Sequence, residues 1–176
     1  KKAKDSGVRQ FIFMSSIIIY GDSAPWGKEK IIDENSSPCP SNLYGDSKWQ
    51  ADKEIRDLGD RYYHVAVIRA PMIYGRGAKG NYQILSKLAK RTPIFPDIKN
   101  NRSMLYIDNL CEFVCLLSLS GESGIYFPQN AEYSNTSSMV KIISQTIEKK
   151  TCFTKIFNLG LKMASHIPGK LSKVIN

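Results

Sequence analysis

The chain has 176 residues, 42% of them apolar and 23% charged, a balance that suits a folded globular protein and excludes a disordered one. Its formal charge is +9, yet six of the nine excess charges (Lys149, Lys150, Lys155, Lys162, Lys170 and Lys173) sit in the last 28 residues. That is a local basic stretch, not a nucleic-acid-binding surface spread over a domain.

No apolar run approaches the ~20 residues that span a bilayer. Lys1–Gly7 is not followed by the apolar core and cleavage site of a signal peptide. Cys39, Cys111, Cys115 and Cys152 include no CxxC pair, and with only His64 and His166 beside them they offer no zinc set. Cys111 and Cys115, four residues apart, read as small apolar residues on a buried helix stripe. Reduced thiols and the missing export signal suit a cytoplasmic protein.

Along the chain, Val8–Ile19 carries the continuous apolar run of a buried parallel strand, with Ser15-Ser16 after Met14. Residues 21–43 have loop composition. A helix is expected over Tyr44–Arg61, with Trp49, Ala51, Ile55 and Leu58 inward. Tyr63–Arg69 is a second buried strand, closed by Ala70-Pro71. A loop over Tyr74–Gly80 leads to a helix at Tyr82–Arg91, and Thr92–Asp97, with two prolines, is a turn or edge segment. Ser103–Ile107 is a short strand, and Asp108 or Asn109 caps a helix to Leu119. Gly124–Phe127 is another strand, Ser137 or Ser138 opens a helix to Lys149, and Ile156–Ile175 is amphipathic. Strands alternating with helices predict an α/β fold.

Tyr44-Gly45-Asp46-Ser47-Lys48 is the motif that carries chemistry. An i,i+4 spacing puts a phenol and an ammonium on one helix face. A neutral phenol is a poor base, and a neighbouring cation favours its ionised form, as a general acid/base requires. Ser16 stands where the first strand ends, and ligands of open α/β sheets bind outside the carboxyl ends of the strands. A hydroxyl there can bond the substrate oxygen that the tyrosine deprotonates.

Four segments occur in one order: Phe13–Gly21, Tyr44–Lys48, Arg69–Gly77 and Arg102–Leu110. Together they resemble the extended short-chain dehydrogenase/reductase family, in its NAD-dependent epimerase/dehydratase branch acting on nucleotide sugars, over about Val8–Lys150. The resemblance implies a partial Rossmann-like parallel sheet with a small α+β substrate-binding part. Residues 1–75 would be the C-terminal part of the dinucleotide-binding domain, and 76–176 the substrate-binding part, with about 108–127 returning to the sheet. It implies that Tyr44 is the acid/base, that Lys48 binds the nicotinamide ribose, and that Ser16 steadies the sugar hydroxyl. Arg69, Ala70 and Pro71 would flank the nicotinamide, and Asn81 and Arg102 would contact the nucleotide diphosphate. The implied activity is NAD-dependent epimerisation of a UDP-sugar at carbon 4, in a family that forms homodimers. In the family's dehydratases an acidic residue follows the serine, so Ile17 and Ile18 favour epimerase or reductase.

Gly75-Arg76-Gly77-Ala78-Lys79-Gly80 spells GxGxxG, but Pro71 separates it from the strand and charged residues fill its spacers. A basic loop near the substrate diphosphate suits it better than a dinucleotide fingerprint. The family's own Gly-rich turn belongs more than a hundred residues before the YxxxK motif, and only 43 residues precede Tyr44 here. The expectation is therefore a fragment with an incomplete NAD site, weakly active or inactive alone, its homodimer compromised. A non-catalytic nucleotide-sugar module and a membrane-surface role for the basic tail stay open as alternatives, the latter disfavoured because Pro168-Gly169 interrupts the tail helix.

Overall fold

The computed structural model describes residues 1–24, 28–78 and 80–156, and all but the first residue of the Ile156–Ile175 segment lies outside them. The chain divides into two units. One comprises Lys1–Asp22, Ile32–Gly75 and Leu105–Gln129; the other takes Ser23–Ile31, Arg76–Met104 and the residues from Asn130 onward. Each is described by itself.

The first unit opens with a single helical turn, α1 (Lys2–Asp5), before strand β1 (Gln10–Ser16). Its sheet has the order β1-β2-β6, with β2 at His64–Ala70 and β6 at Gly124–Tyr126, and both pairings are parallel. Central β2 is buried along Val65–Ala70, as a strand covered on both faces must be. Alternation splits its side chains. Val65 and Val67 join Phe11, Phe13, Ile55 and Leu58 on one face, while Ala66, Ile68 and Ala70 join Leu105, Leu110 and Leu117 on the other. Helix α2 (Leu43–Arg56) packs on the first face and α4 (Ile107–Ser120) on the second. Register aligns Ser16 with Ala70, so the carboxyl ends of β1 and β2 stand side by side. A second ladder pairs β3 (Met72–Tyr74) with β5 (Met104–Tyr106).

The other unit holds α3 (Asn81–Arg91), α5 (Thr136–Thr146) and a parallel pair, β4 (Ile94–Pro96) with β7 (Cys152–Thr154). Leu85, Ala89, Phe95, Ile98 and Val140 form its core. Among the described residues no helix is long and apolar enough to cross a membrane.

The α/β fold is as expected, and several boundaries move. The first strand stops at Ser16, where a 3-10 turn, Ile17–Tyr20, begins under the Ser16 hydroxyl, which accepts from the Ile18 N–H. Helix α2 ends at Arg56 rather than Arg61. Gly59 then bonds back to the Arg56 carbonyl, and the Asp60 carboxylate accepts from the N–H groups of Tyr62 and Tyr63. Asp108 lies inside the first turn of α4 instead of capping it. Asn135, not Ser137 or Ser138, caps α5 and accepts from both of their N–H groups. Strands β3 and β7 were not expected from the sequence.

Cys111 and Cys115 are a correction: both are exposed. The buried stripe of α4 is Leu110 and Leu117, and the cysteines lie on a shallow apolar groove with Met14, Val114 and Leu119. Lys149, at the start of the basic stretch, is anchored: its ammonium donates to the carbonyls of Ala89, Lys90 and Thr92 and so closes the C-terminal end of α3.

Candidate functional site

Asn42 opens α2, its side-chain oxygen accepting from the Gly45 N–H at 2.9 Å. A Cβ on Gly45 would come within 3.0 Å of the Ile18 carbonyl oxygen, so the small residue inside the YxxxK motif lets the first helical turn press onto the 3-10 turn that follows Ser16. Tyr44 precedes it in that turn, 59% exposed. One turn later the Lys48 ammonium donates to the Met14 carbonyl at 2.9 Å and lies 5.1 Å from the Phe13 ring. Thus α2 brings the phenol-bearing turn against the segment after Ser16 and the cation against β1. Both meet the sheet at the carboxyl end of β1.

Ala70 and Pro71 are buried at the adjoining end of β2. Arg69 is turned inward, 5% exposed. Its guanidinium donates to both Asp52 carboxylate oxygens, at 2.9 and 3.0 Å, and to the Tyr20 hydroxyl at 2.6 Å. Any contact of Arg69 with a ligand outside that core is left to its backbone. Asp52 is fully buried and also accepts from the Ser15 hydroxyl at 2.8 Å and the Arg56 Nε at 2.9 Å. Burial pushes the Asp52 carboxyl up, but hydrogen bonds from Arg69, Ser15 and Arg56 outweigh it and hold the group below its ordinary range. Burial also pushes the Arg69 guanidinium down, and Asp52 more than reverses this.

The inward positions that the sequence pattern marks on the expected Tyr44–Arg61 helix (Trp49, Ala51, Ile55 and Leu58) do not include Asp52. A signal was present. An arginine inside the buried run His64–Ala70 demands a carboxylate, and Asp52 falls between Trp49 and Ile55 on the inward stripe.

Asn81 and Arg102 belong to the second unit. Asn81 is the first residue of α3, after Gly80, and is exposed. Arg102 pairs its backbone both ways with Ser134, at 2.8 and 2.9 Å, and burial draws its guanidinium pKa down. In the GxGxxG stretch, Gly75 has φ +125°, and a Cβ there would lie 2.6 Å from the Ile107 side chain. Packing against β5 and α4 therefore explains Gly75, and no phosphate is needed to account for it. Lys79 lies outside the described residues. Among those residues no group of three or more His, Cys, Asp or Glu could hold a metal ion.

Residues 1–126 match the NAD dependent epimerase/dehydratase family. This chain belongs to that family. It is 30% identical over 157 residues to the UDP-glucose 4-epimerase of Vibrio cholerae, covering 86% of this chain and 47% of that protein. It is 29% identical over 152 residues to the N-acetyl-alpha-D-glucosaminyl-diphospho-ditrans,octacis-undecaprenol 4-epimerase of Escherichia coli O157:H7, covering 82% of this chain and 44% of that one. Among solved structures, the UDP-glucose 4-epimerase of Thermus thermophilus in complex with NAD superposes with a TM-score of 0.69 at 19% identity, over 86% of this chain and 52% of that one. The shared fold is clear at that level. The chain spans about half the length of the curated relatives it matches.

Proposed function

We propose that this protein acts on nucleotide sugars with NAD, epimerising a UDP-sugar at carbon 4, and that this chain carries the residues that move the proton and hold the sugar. One observation carries the reading: the Lys48 ammonium bonded to Met14 anchors the YxxxK helix at the carboxyl end of β1, with Tyr44 exposed one turn before it. In this reading Tyr44 takes the proton of the sugar hydroxyl and returns it, Ser16 bonds the same oxygen, and Lys48 holds the motif helix against β1. For Asn81 and Arg102, which belong to the other unit, the family resemblance alone supports a role toward a diphosphate, a group whose oxygens a guanidinium fork matches.

The donor set fits one end of the dinucleotide: the Lys48 ammonium and Tyr44 hydroxyl would hold the nicotinamide ribose, beside the strand end at Ala70-Pro71. For the adenosine and pyrophosphate end the described residues offer no Gly-rich turn between a strand of the three-stranded sheet and a helix. When bound, NAD supplies the hydride acceptor and donor. The names of the relatives support the substrate class, and the apolar Ile17-Ile18 pair after Ser16 favours epimerisation over dehydration.

The test is conversion of UDP-glucose to UDP-galactose by the chain with added NAD, resolved by NMR over hours. Slow conversion is expected, falling about 10²–10⁴-fold in Tyr44→Phe, the size of a lost general acid/base. Conversion that Tyr44→Phe leaves unchanged overturns the assignment, as does absence of both conversion and calorimetric UDP-glucose binding.

A further inference from the structure

The site residues lie on three elements, and the Lys48 bond to the Met14 carbonyl is the one side-chain link already described between them. Tyr44 and Lys48 ride on α2, Ser16 ends β1, and Ala70-Pro71 ends β2. One buried side chain touches all three elements. Asp52 lies one turn beyond Lys48 on α2. It accepts from Ser15, the residue before Ser16, and from Arg69, the residue before Ala70. Arg69 extends the link to the Tyr20 hydroxyl at the end of the 3-10 turn. Its guanidinium lies 5.5 to 5.9 Å from the rings of Tyr20, Trp49 and Phe127, and Phe127 follows directly on β6. The ends of all three parallel strands thus converge on one ion pair.

We propose that Asp52 is the positioning residue of the Tyr44–Lys48 site: its carboxylate sets the rotation and depth of α2 against the strand ends, and so the placement of the Lys48 ammonium. The inference rests on the proposed function in taking Tyr44 and Lys48 as the reacting pair. The physical basis is the intolerance of a buried charge for misalignment. An ion pair removed from water is held only where its geometry is good and its remaining lone pairs are filled. Asp52 has four donor contacts, from three side chains besides its own, all at 3.0 Å or less. An apolar contact at this position would tolerate sliding of the helix, and this one does not.

The Phe13 ring, 5.1 Å from the Lys48 ammonium, provides the readout: its ring current should displace the Lys48 Hε resonances, and the bond to Met14 should slow exchange of the ammonium protons. In Asp52→Asn we expect the ring-current displacement to collapse toward that of an exposed lysine. Ammonium exchange should rise about tenfold, as for loss of a hydrogen bond to a charged group. Ser15→Ala should move both signals the same way by less, and it keeps the test alive if Asp52→Asn does not fold. Leu117→Ala, in the core beneath α4, is the control. It should lower stability and leave the Lys48 signals in place, which a merely structural role for Asp52 would also predict for Asp52→Asn. Unmoved Lys48 signals in a folded Asp52→Asn, or in Ser15→Ala where Asp52→Asn does not fold, overturn the inference. The proposed function fails separately. If Asp52→Asn releases Lys48 while Tyr44→Phe leaves turnover intact, the positioning stands and the chemistry falls.

Discussion

Each unit is tied together by a buried polar network, and the two networks are of opposite kinds. In the first, a carboxylate and a guanidinium join α2 to β1 and β2. In the second the parts are neutral. The Asn135 side chain caps α5 and donates to the carbonyls of Ile98 and Asn100, Asn100 bonds Thr136 through both ends of its amide, and the Ser137 hydroxyl accepts from the Ile98 N–H. Neutral partners can be lost one at a time, each leaving a modest unmet group. Removing one member of a buried ion pair strands a charge. The first unit therefore gains alignment at the cost of fragility, on the side where the YxxxK motif lies.

Asp52→Ala is the most severe way to break the comparison, and should cost about 3–5 kcal/mol because Arg69 is left charged and buried. Urea denaturation measures it, and the double variant Asp52→Leu/Arg69→Met should recover much of the loss. Gly75→Ala should come next, at roughly 1–3 kcal/mol, from an overpacked contact with Ile107 and a backbone angle that suits glycine. In the neutral network Asn135→Ala should cost about 1–2 kcal/mol, the loss of a cap, and should be no larger at pH 3 than at pH 7.

Acid sharpens the contrast. The folded-state pKa of Asp52 is depressed, so its contribution is complete above the ordinary carboxylate range near ~4 and is lost as pH falls through the lower folded value. Asp60 behaves in the same way. The hydrogen bond from Lys4 and the N–H groups of Tyr62 and Tyr63 lower it from 3.8 to about 2. Between pH 5 and 2, the protection of β2 amides, taken relative to their intrinsic exchange rates, should therefore fall before that of α5, and Asp52→Asn should flatten that dependence. The smallest effect is Lys149→Met, at about 1 kcal/mol for the carbonyls it leaves unbonded at the end of α3.

The strands of the main sheet were legible because buried parallel strands are apolar on both faces: Phe11–Met14 and Val65–Ile68 leave little alternative. The motif helix was legible from Tyr44 and Lys48 for its start, but not for its end, which Asp60 and Gly59 decide through backbone bonds that hydrophobic periodicity does not register. Short strands such as β7 gain their identity from the partner, here β4, and three residues carry no period. Cys111 and Cys115 misled because a thiol's small apolar character does not say which side of an amphipathic helix it occupies. Asp52 escaped for the opposite reason: a charge on an inward stripe looks like a break in the pattern until its arginine, seventeen residues on, is counted with it.

The proposal that Tyr44, Lys48 and Ser16 face a nucleotide sugar is tested most directly by titrating UDP-glucose into the isotope-labelled chain and following the backbone amides. The account predicts shifts that saturate at Ser16, Ile18, Tyr44, Gly45 and Ala70, with the amides of α4 from Leu110 to Leu119 unmoved. Saturating shifts confined to the α4 groove, with the Tyr44 turn and the end of β1 silent, would contradict it.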